Sequence, residues 1–77
     1  MKIKLLTFGV INEIVENKQI SNEQIKSTDD LIIILENKYP EIKNLNYKIS
    51  VNRKLINGNT ILNDNDEVAV LPPFAGG

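Results

Sequence analysis

The residues with the clearest chemical potential in this 77-residue chain are its last six, Pro72-Pro73-Phe74-Ala75-Gly76-Gly77. A carboxylate at Gly77 is a reactive group that needs no side chain. Gly76 and Gly77 add nothing beyond backbone, so a narrow enzyme channel could admit them and approach that carboxylate closely. Pro72 and Pro73 cannot donate to a β-ladder, so the sheet is expected to stop before them and an extended segment to begin. Five or six extended residues span roughly 15–20 Å, enough to reach into a partner. On composition alone the competing reading is a frayed terminus without function.

Other chemistry is largely excluded. The chain has no Cys and no His, which removes disulfides, Cys/His zinc sites, iron–sulfur clusters, a cysteine nucleophile and any Ser-His-Asp arrangement. Nine Lys and Arg against ten Asp and Glu leave a net charge of −1, with no basic stripe for nucleic acid. The acidic run Asn63-Asp64-Asn65-Asp66 lacks the glycine and terminal glutamate of an EF-hand loop, so it is expected to be a solvated turn rather than a metal site. The longest apolar run, Leu31–Leu35, falls far short of the ~20 residues of a transmembrane helix. Met1–Phe8 resembles a signal peptide only faintly, since Asn12 and Glu13 interrupt the apolar stretch and no small-residue cleavage site follows. The chain is therefore expected to be cytoplasmic, with neither nucleic acid nor membrane as a partner.

The elements that must position the tail follow from periodicity. At 42% hydrophobic and 25% charged, the composition is that of one small globular domain. Lys2–Phe8 alternates as a strand, with Ile3 and Leu5 on one face and Leu6 and Phe8 on the other. Apolar residues on both faces predict a central strand covered on both sides. Val10, Ile11, Ile14 and Val15 predict a short amphipathic helix ending near Asn17. Lys18–Lys26 reads as an edge strand, although Ile20 and Ile25 differ in parity and cannot both be buried without a bulge. Ser27-Thr28-Asp29-Asp30 has the form of a capping box and opens the main helix. Its stripe is Leu31, Ile32, Leu35 and Tyr39, with Glu36, Asn37 and Lys38 toward solvent, and Pro40 ends it. Tyr47, Ile49 and Val51 predict a half-buried strand that turns at Asn52-Arg53. Asn57-Gly58 is a further turn signal, and Glu67–Leu71 is a last strand. Strands arranged around one principal helix make the class α+β.

Asp64 to Gly77 resembles the closing signature of the molybdopterin synthase small subunit family, which are ubiquitin-like sulfur carriers. In that family an acidic turn, a hydrophobic strand, two prolines and a terminal Gly-Gly follow in order. The opening strand and short helix, the helix after Ser27 and the Ser50-Val51-Asn52 strand end fall in the same order. Two departures are visible: Asn65 stands where the turn usually has glycine, and Phe74 replaces a commonly smaller residue.

The resemblance implies a β-grasp fold: a mixed four- to five-stranded sheet wrapped on one main helix, with residues 1–71 as the domain and 72–77 as an extended tail. It implies a carrier rather than a free-standing enzyme. The Gly77 carboxylate would be adenylated with ATP by an activating enzyme, converted to a thiocarboxylate, and inserted into the synthase large subunit to give sulfur to a pterin precursor. The assembly expected is a heterotetramer, and ATP is used by the activating partner while this chain binds no cofactor. Phe8, Leu55 and Leu71 match the family's apolar docking patch; the bland alternative is that all three are core. Three other readings share the layout: a thiamine-pathway sulfur carrier, which Pro72-Pro73 disfavours, a ubiquitin-like protein modifier, and a β-grasp binding adaptor with an idle tail.

Overall fold

A computed structural model describes residues 1–74. Five strands, β1 (Lys2–Thr7), β2 (Lys18–Ser21), β3 (Lys48–Val51), β4 (Lys54–Leu55) and β5 (Asp66–Leu71), form one sheet in the order β2-β1-β5-β3-β4. β1 and β5 pair in parallel and every other pairing is antiparallel. Helix α1 (Thr28–Lys38) packs on one face. This mixed sheet curled around a single α-helix is the expected β-grasp architecture.

The helix starts where the capping signal places it. Ser27 is the N-cap, and its hydroxyl accepts from the Asp30 amide at 3.4 Å. The reciprocal half of the box is displaced by one residue, because the Asp30 carboxylate accepts from the Lys26 amide at 2.9 Å. Asn59 supplies a second cap from a distant loop, its Oδ1 accepting from the Asp29 amide at 2.9 Å. With the Thr28 amide donating to the Thr60 carbonyl at 2.8 Å, three of the amides a helix start leaves without intrahelical partners are engaged. Tyr39 closes the helix and Pro40 begins a 3₁₀ turn over Pro40–Asn44. Leu31 and Leu35 are buried with Ile3, Leu5, Ile49, Val68 and Val70, and Ile32 lies half-buried beside them. Glu36 is half-buried rather than free in solvent, because it accepts a hydrogen bond from the Tyr47 hydroxyl at 2.7 Å.

Three expectations are corrected. The short helix after β1 is a 3₁₀ helix over Gly9–Glu13 and ends before Asn17, although Ile11 and Val15 are buried as the pattern requires. The parity conflict between Ile20 and Ile25 needs no bulge: β2 ends at Ser21, and Ile25 enters the core from the loop that follows. β1 is an interior strand, but only its Ile3–Leu5–Thr7 face is covered, while Leu6 is half-buried and Phe8 is 45% exposed.

The turns carry the backbone conformations their residues allow. Asn52 and Arg53 both have positive φ, 50° and 70°, as a tight β3–β4 hairpin of the right twist demands. Asn65 takes φ 69°, so asparagine fills the left-handed position of the acidic turn where glycine is usual. The carboxylates of that turn serve as backbone acceptors. Asp64 takes the Lys2 amide at 2.7 Å and Asp66 the Asn63 amide at 2.7 Å. Among the described residues no cluster of His, Cys, Asp or Glu could hold a metal ion, and no helix is long and apolar enough to cross a membrane.

Candidate docking face and tail exit

The face of the sheet opposite α1 carries a groove of about 710 Å³ lined by Leu6, Phe8, Ser50, Arg53, Lys54, Leu55, Glu67, Ala69 and Leu71. Strand register explains its shape. Leu6 pairs with Ala69, Ala69 with Ser50, and Ser50 with Leu55, so four residues form one row across β1, β5, β3 and β4. The two inner members are small and the two outer ones are leucines. A row of that profile makes a trough with apolar walls and a shallow floor. The small members are overshadowed by their neighbours, so Ala69 and Ser50 are buried although no helix or strand among the described residues lies over this face.

Phe8, Leu55 and Leu71 all line this groove. Phe8 and Leu55 are 45% and 44% exposed and Leu71 is half-buried, so none is ordinary core. The structure adds Leu6, Ala69 and Ser50, and a charged rim of Arg53, Lys54 and Glu67. Arg53 Nε lies 3.8 Å from a Glu67 carboxylate oxygen. The alternation of β1 already puts Leu6 with Phe8, but their adjacency to Ala69 and Leu55 depends on strand order, which no local pattern encodes.

Strand β5 delivers the chain from this groove to the tail. Leu71 pairs with Lys48 at the end of the ladder, and the Phe8 amide donates to the Val70 carbonyl at 3.2 Å. Pro72 is buried, whereas Phe74 is 82% exposed. Pro73 and Phe74 lie in a turn rather than the extended course expected of them; a proline's fixed φ suits the first central position of such a turn. Ala75, Gly76 and Gly77, which include the expected reactive terminus, lie outside the described residues.

Comparison with known proteins decides the family. The ThiS family model matches residues 5–77. The chain belongs to the ThiS family. Along its whole length it is 29% identical to the molybdopterin synthase sulfur carrier subunit of Mycobacterium tuberculosis, covering 99% of that protein. It is 34% identical, over all of both chains and with a TM-score of 0.74, to a chain in the complex of subunits 1 and 2 of molybdopterin-converting factor from Helicobacter pylori. A Pyrococcus furiosus structure named for subunit 1 of molybdopterin converting factor superposes with a TM-score of 0.82 over 94% of this chain and 97% of that one. At 23% identity it speaks for the shared fold alone.

Proposed function

We propose that this ThiS-family protein is the sulfur carrier subunit of a molybdopterin synthase, with Gly77 as the terminal residue that carries the sulfur. The geometry that supports this reading is the continuity of β5 with both the groove and the tail. Ala69 and Leu71 line the groove, and the next residues are the prolines that leave the sheet. One docking event on the open face therefore places the tail at a fixed point on the partner, which is how positioning replaces catalytic side chains. The Mycobacterium sulfur carrier subunit and the Helicobacter complex of subunits 1 and 2 favour the molybdopterin pathway and a large-subunit partner.

In this mechanism a carboxylate oxygen of Gly77 attacks the α-phosphorus of ATP on the activating enzyme, and pyrophosphate leaves. A hydrosulfide equivalent from a sulfur-mobilising partner adds to the acyl carbon, and AMP departs with the bonding pair of the C–O bond. The thiocarboxylate so formed holds nucleophilic sulfur without any cysteine in the carrier. The domain then docks through Phe8, Leu55 and Leu71 on the synthase large subunit, in a heterotetramer, and Pro73 to Gly77 reach the pterin precursor. Every step draws on cytoplasmic ATP or on partner enzymes. This chain's own part is to bind and to orient.

The test is pyrophosphate release with the activating enzyme, intact mass for replacement of one oxygen by sulfur, and dithiolene formation in the reconstituted synthase. The native chain should pass all three. One residue added after Gly77 should abolish adenylation and transfer with the melting temperature unchanged, and deletion of Gly76 and Gly77 should give a folded, partner-binding, inactive protein. Full activity of the extended chain, shown by mass to be unprocessed, ends the carrier reading. Sulfur delivered to a thiazole, or linkage to lysines of other proteins, would assign one of its relatives instead.

A further inference from the structure

Gly9 and Pro72, from opposite ends of the chain, meet where the tail departs. Gly9 has φ +59°, and a Cβ built on it would stand 2.8 Å from Pro72 Cγ, 3.9 Å from Cδ and 4.0 Å from Cβ. A proline ring cannot swing aside as a flexible side chain does, so a methyl group at residue 9 would displace residue 72 itself. Pro72 is buried, although its donor-less nitrogen ends the ladder.

The seat that Gly9 offers is held from below. Thr7, buried at the end of β1, donates its hydroxyl to the Val15 carbonyl. Its amide donates to Asn17 Oδ1 at 2.8 Å, and Asn12 Nδ2 donates to its Oγ1 at 2.9 Å. These bonds tie Asn12, late in the 3₁₀ segment, and the Val15–Asn17 stretch that follows it to the end of β1. The Ile11 amide closes onto the Phe8 carbonyl at 3.2 Å and so brackets Gly9 directly. Thr7 thus has its amide and hydroxyl both engaged by the segment that follows Gly9.

We infer that Gly9 is a positioning residue: its bare Cα seats the Pro72 ring, so that the rigid body extends through Pro72 and the chain leaves it at Pro73 with a fixed direction. The inference rests on the carrier reading, because direction matters only if Gly77 must enter a partner's site. Fixing residue 72 leaves five residues, a span of roughly 17 Å if fully extended, between the anchored point and the Gly77 carboxylate. It also raises the local concentration of the terminus at the point where docking places it.

The experiment is a distance measurement combined with kinetics. The native chain has no cysteine, so spin labels can be placed on Asn37→Cys, exposed on α1, and on Phe74→Cys, just past the seat. The parent should give one narrow distance distribution. Gly9→Ala should shift or broaden it, Pro72→Ala should broaden it, and the double variant should be no worse than Pro72→Ala alone, because the clashing ring is gone. With unlabelled protein and the activating enzyme, Gly9→Ala should lower kcat about 10- to 100-fold, the loss expected of a misplaced reacting group. KM, set by the untouched groove, should stay within about twofold. Unchanged distances in both Gly9→Ala and Pro72→Ala overturn the proposal, since a glycine needed only for its φ would lower the melting temperature without redirecting the tail. Should Gly9→Ala not fold, Pro72→Ala removes the same contact and decides alone. If the native chain is not adenylated at all, the carrier reading fails, while the distances still judge the seat.

Discussion

The two faces of the sheet use similar residues to opposite ends. On the face under α1, Ile3, Leu5, Val68 and Val70 are sealed from water. On the other, Leu6, Phe8, Leu55 and Leu71 keep much of their surface exposed, around a floor of Ala69 and Ser50. Both alternate with period two on the same strands. The difference is that the described residues hold one long helix, and it covers one face only. An interior strand that is apolar on both faces in a domain this small is therefore a sign of a partner as much as of a buried sheet.

That contrast can be broken by substitution. Leu35→Ala, beneath the covered face, should cost about 2–4 kcal/mol of stability through the cavity it leaves. Urea unfolding would measure it, and most of a small domain's margin is at stake. Leu55→Asp, on the open face, should shift stability by no more than about 0.5 kcal/mol, as surface changes do. Binding to the synthase large subunit should meanwhile weaken by about 2 kcal/mol, the loss at a central interface residue. Calorimetric titration reads the second number and the melting curve the first. If Leu55→Asp unfolds the domain as Leu35→Ala does, the open face is a core face and the comparison fails.

Arg53 sharpens it. The residue holds φ 70° in the β3–β4 turn, a conformation that is uncomfortable for a side chain and easy for glycine. Its ion pair with Glu67, at 3.8 Å and largely exposed, is worth too little to explain its presence. Arg53→Gly should raise stability by about 0.5–1 kcal/mol, the usual gain at a left-handed position. The same change removes a cation from the groove rim and should weaken docking severalfold, more at low salt than at high. A gain in stability with no loss of docking would show that the rim charge is idle and the groove purely apolar.

How far the sequence anticipates this depends on the range of the signal. The capped helix, the Asn52-Arg53 hairpin and the left-handed Asn65 are legible because each is set within four residues. The choice of Phe8, Leu55 and Leu71 came from family resemblance, and their assembly into one groove came from strand order. β1 and β5 are the first and last strands and pair in parallel, and nothing local in either announces the other. Leu6 was readable by parity with Phe8. Ala69, Ser50 and the Gly9–Pro72 contact were not, because small residues acquire meaning only from the neighbours that overtop or approach them.

The last effect belongs to a link on the covered side. The Tyr47 hydroxyl, just before β3, donates to the Glu36 carboxylate of α1 at 2.7 Å, and its ring packs against the core. Burial first, then the neighbouring carboxylate, hold its hydroxyl pKa well above the ordinary tyrosine range. In the unfolded chain the phenol ionises near pH 10, whereas the folded one keeps its proton. Above that pH the folded state binds more protons than the unfolded state, so the slope of unfolding free energy against pH is negative. The contribution is complete below about pH 10 and is lost as the pH climbs toward the folded value. Tyr39 is displaced the other way, chiefly because Lys18 Nζ donates to its hydroxyl oxygen, so a wild-type titration mixes two tyrosines of opposite sign. Comparison with Tyr47→Phe separates them. The variant should lose about 1 kcal/mol near pH 7 with the hydrogen bond, and that deficit should shrink steadily from pH 10 to 11.5. A deficit that stays constant across that interval would mean that Tyr47 ionises alike in both states, and that the helix is held to the sheet by packing alone.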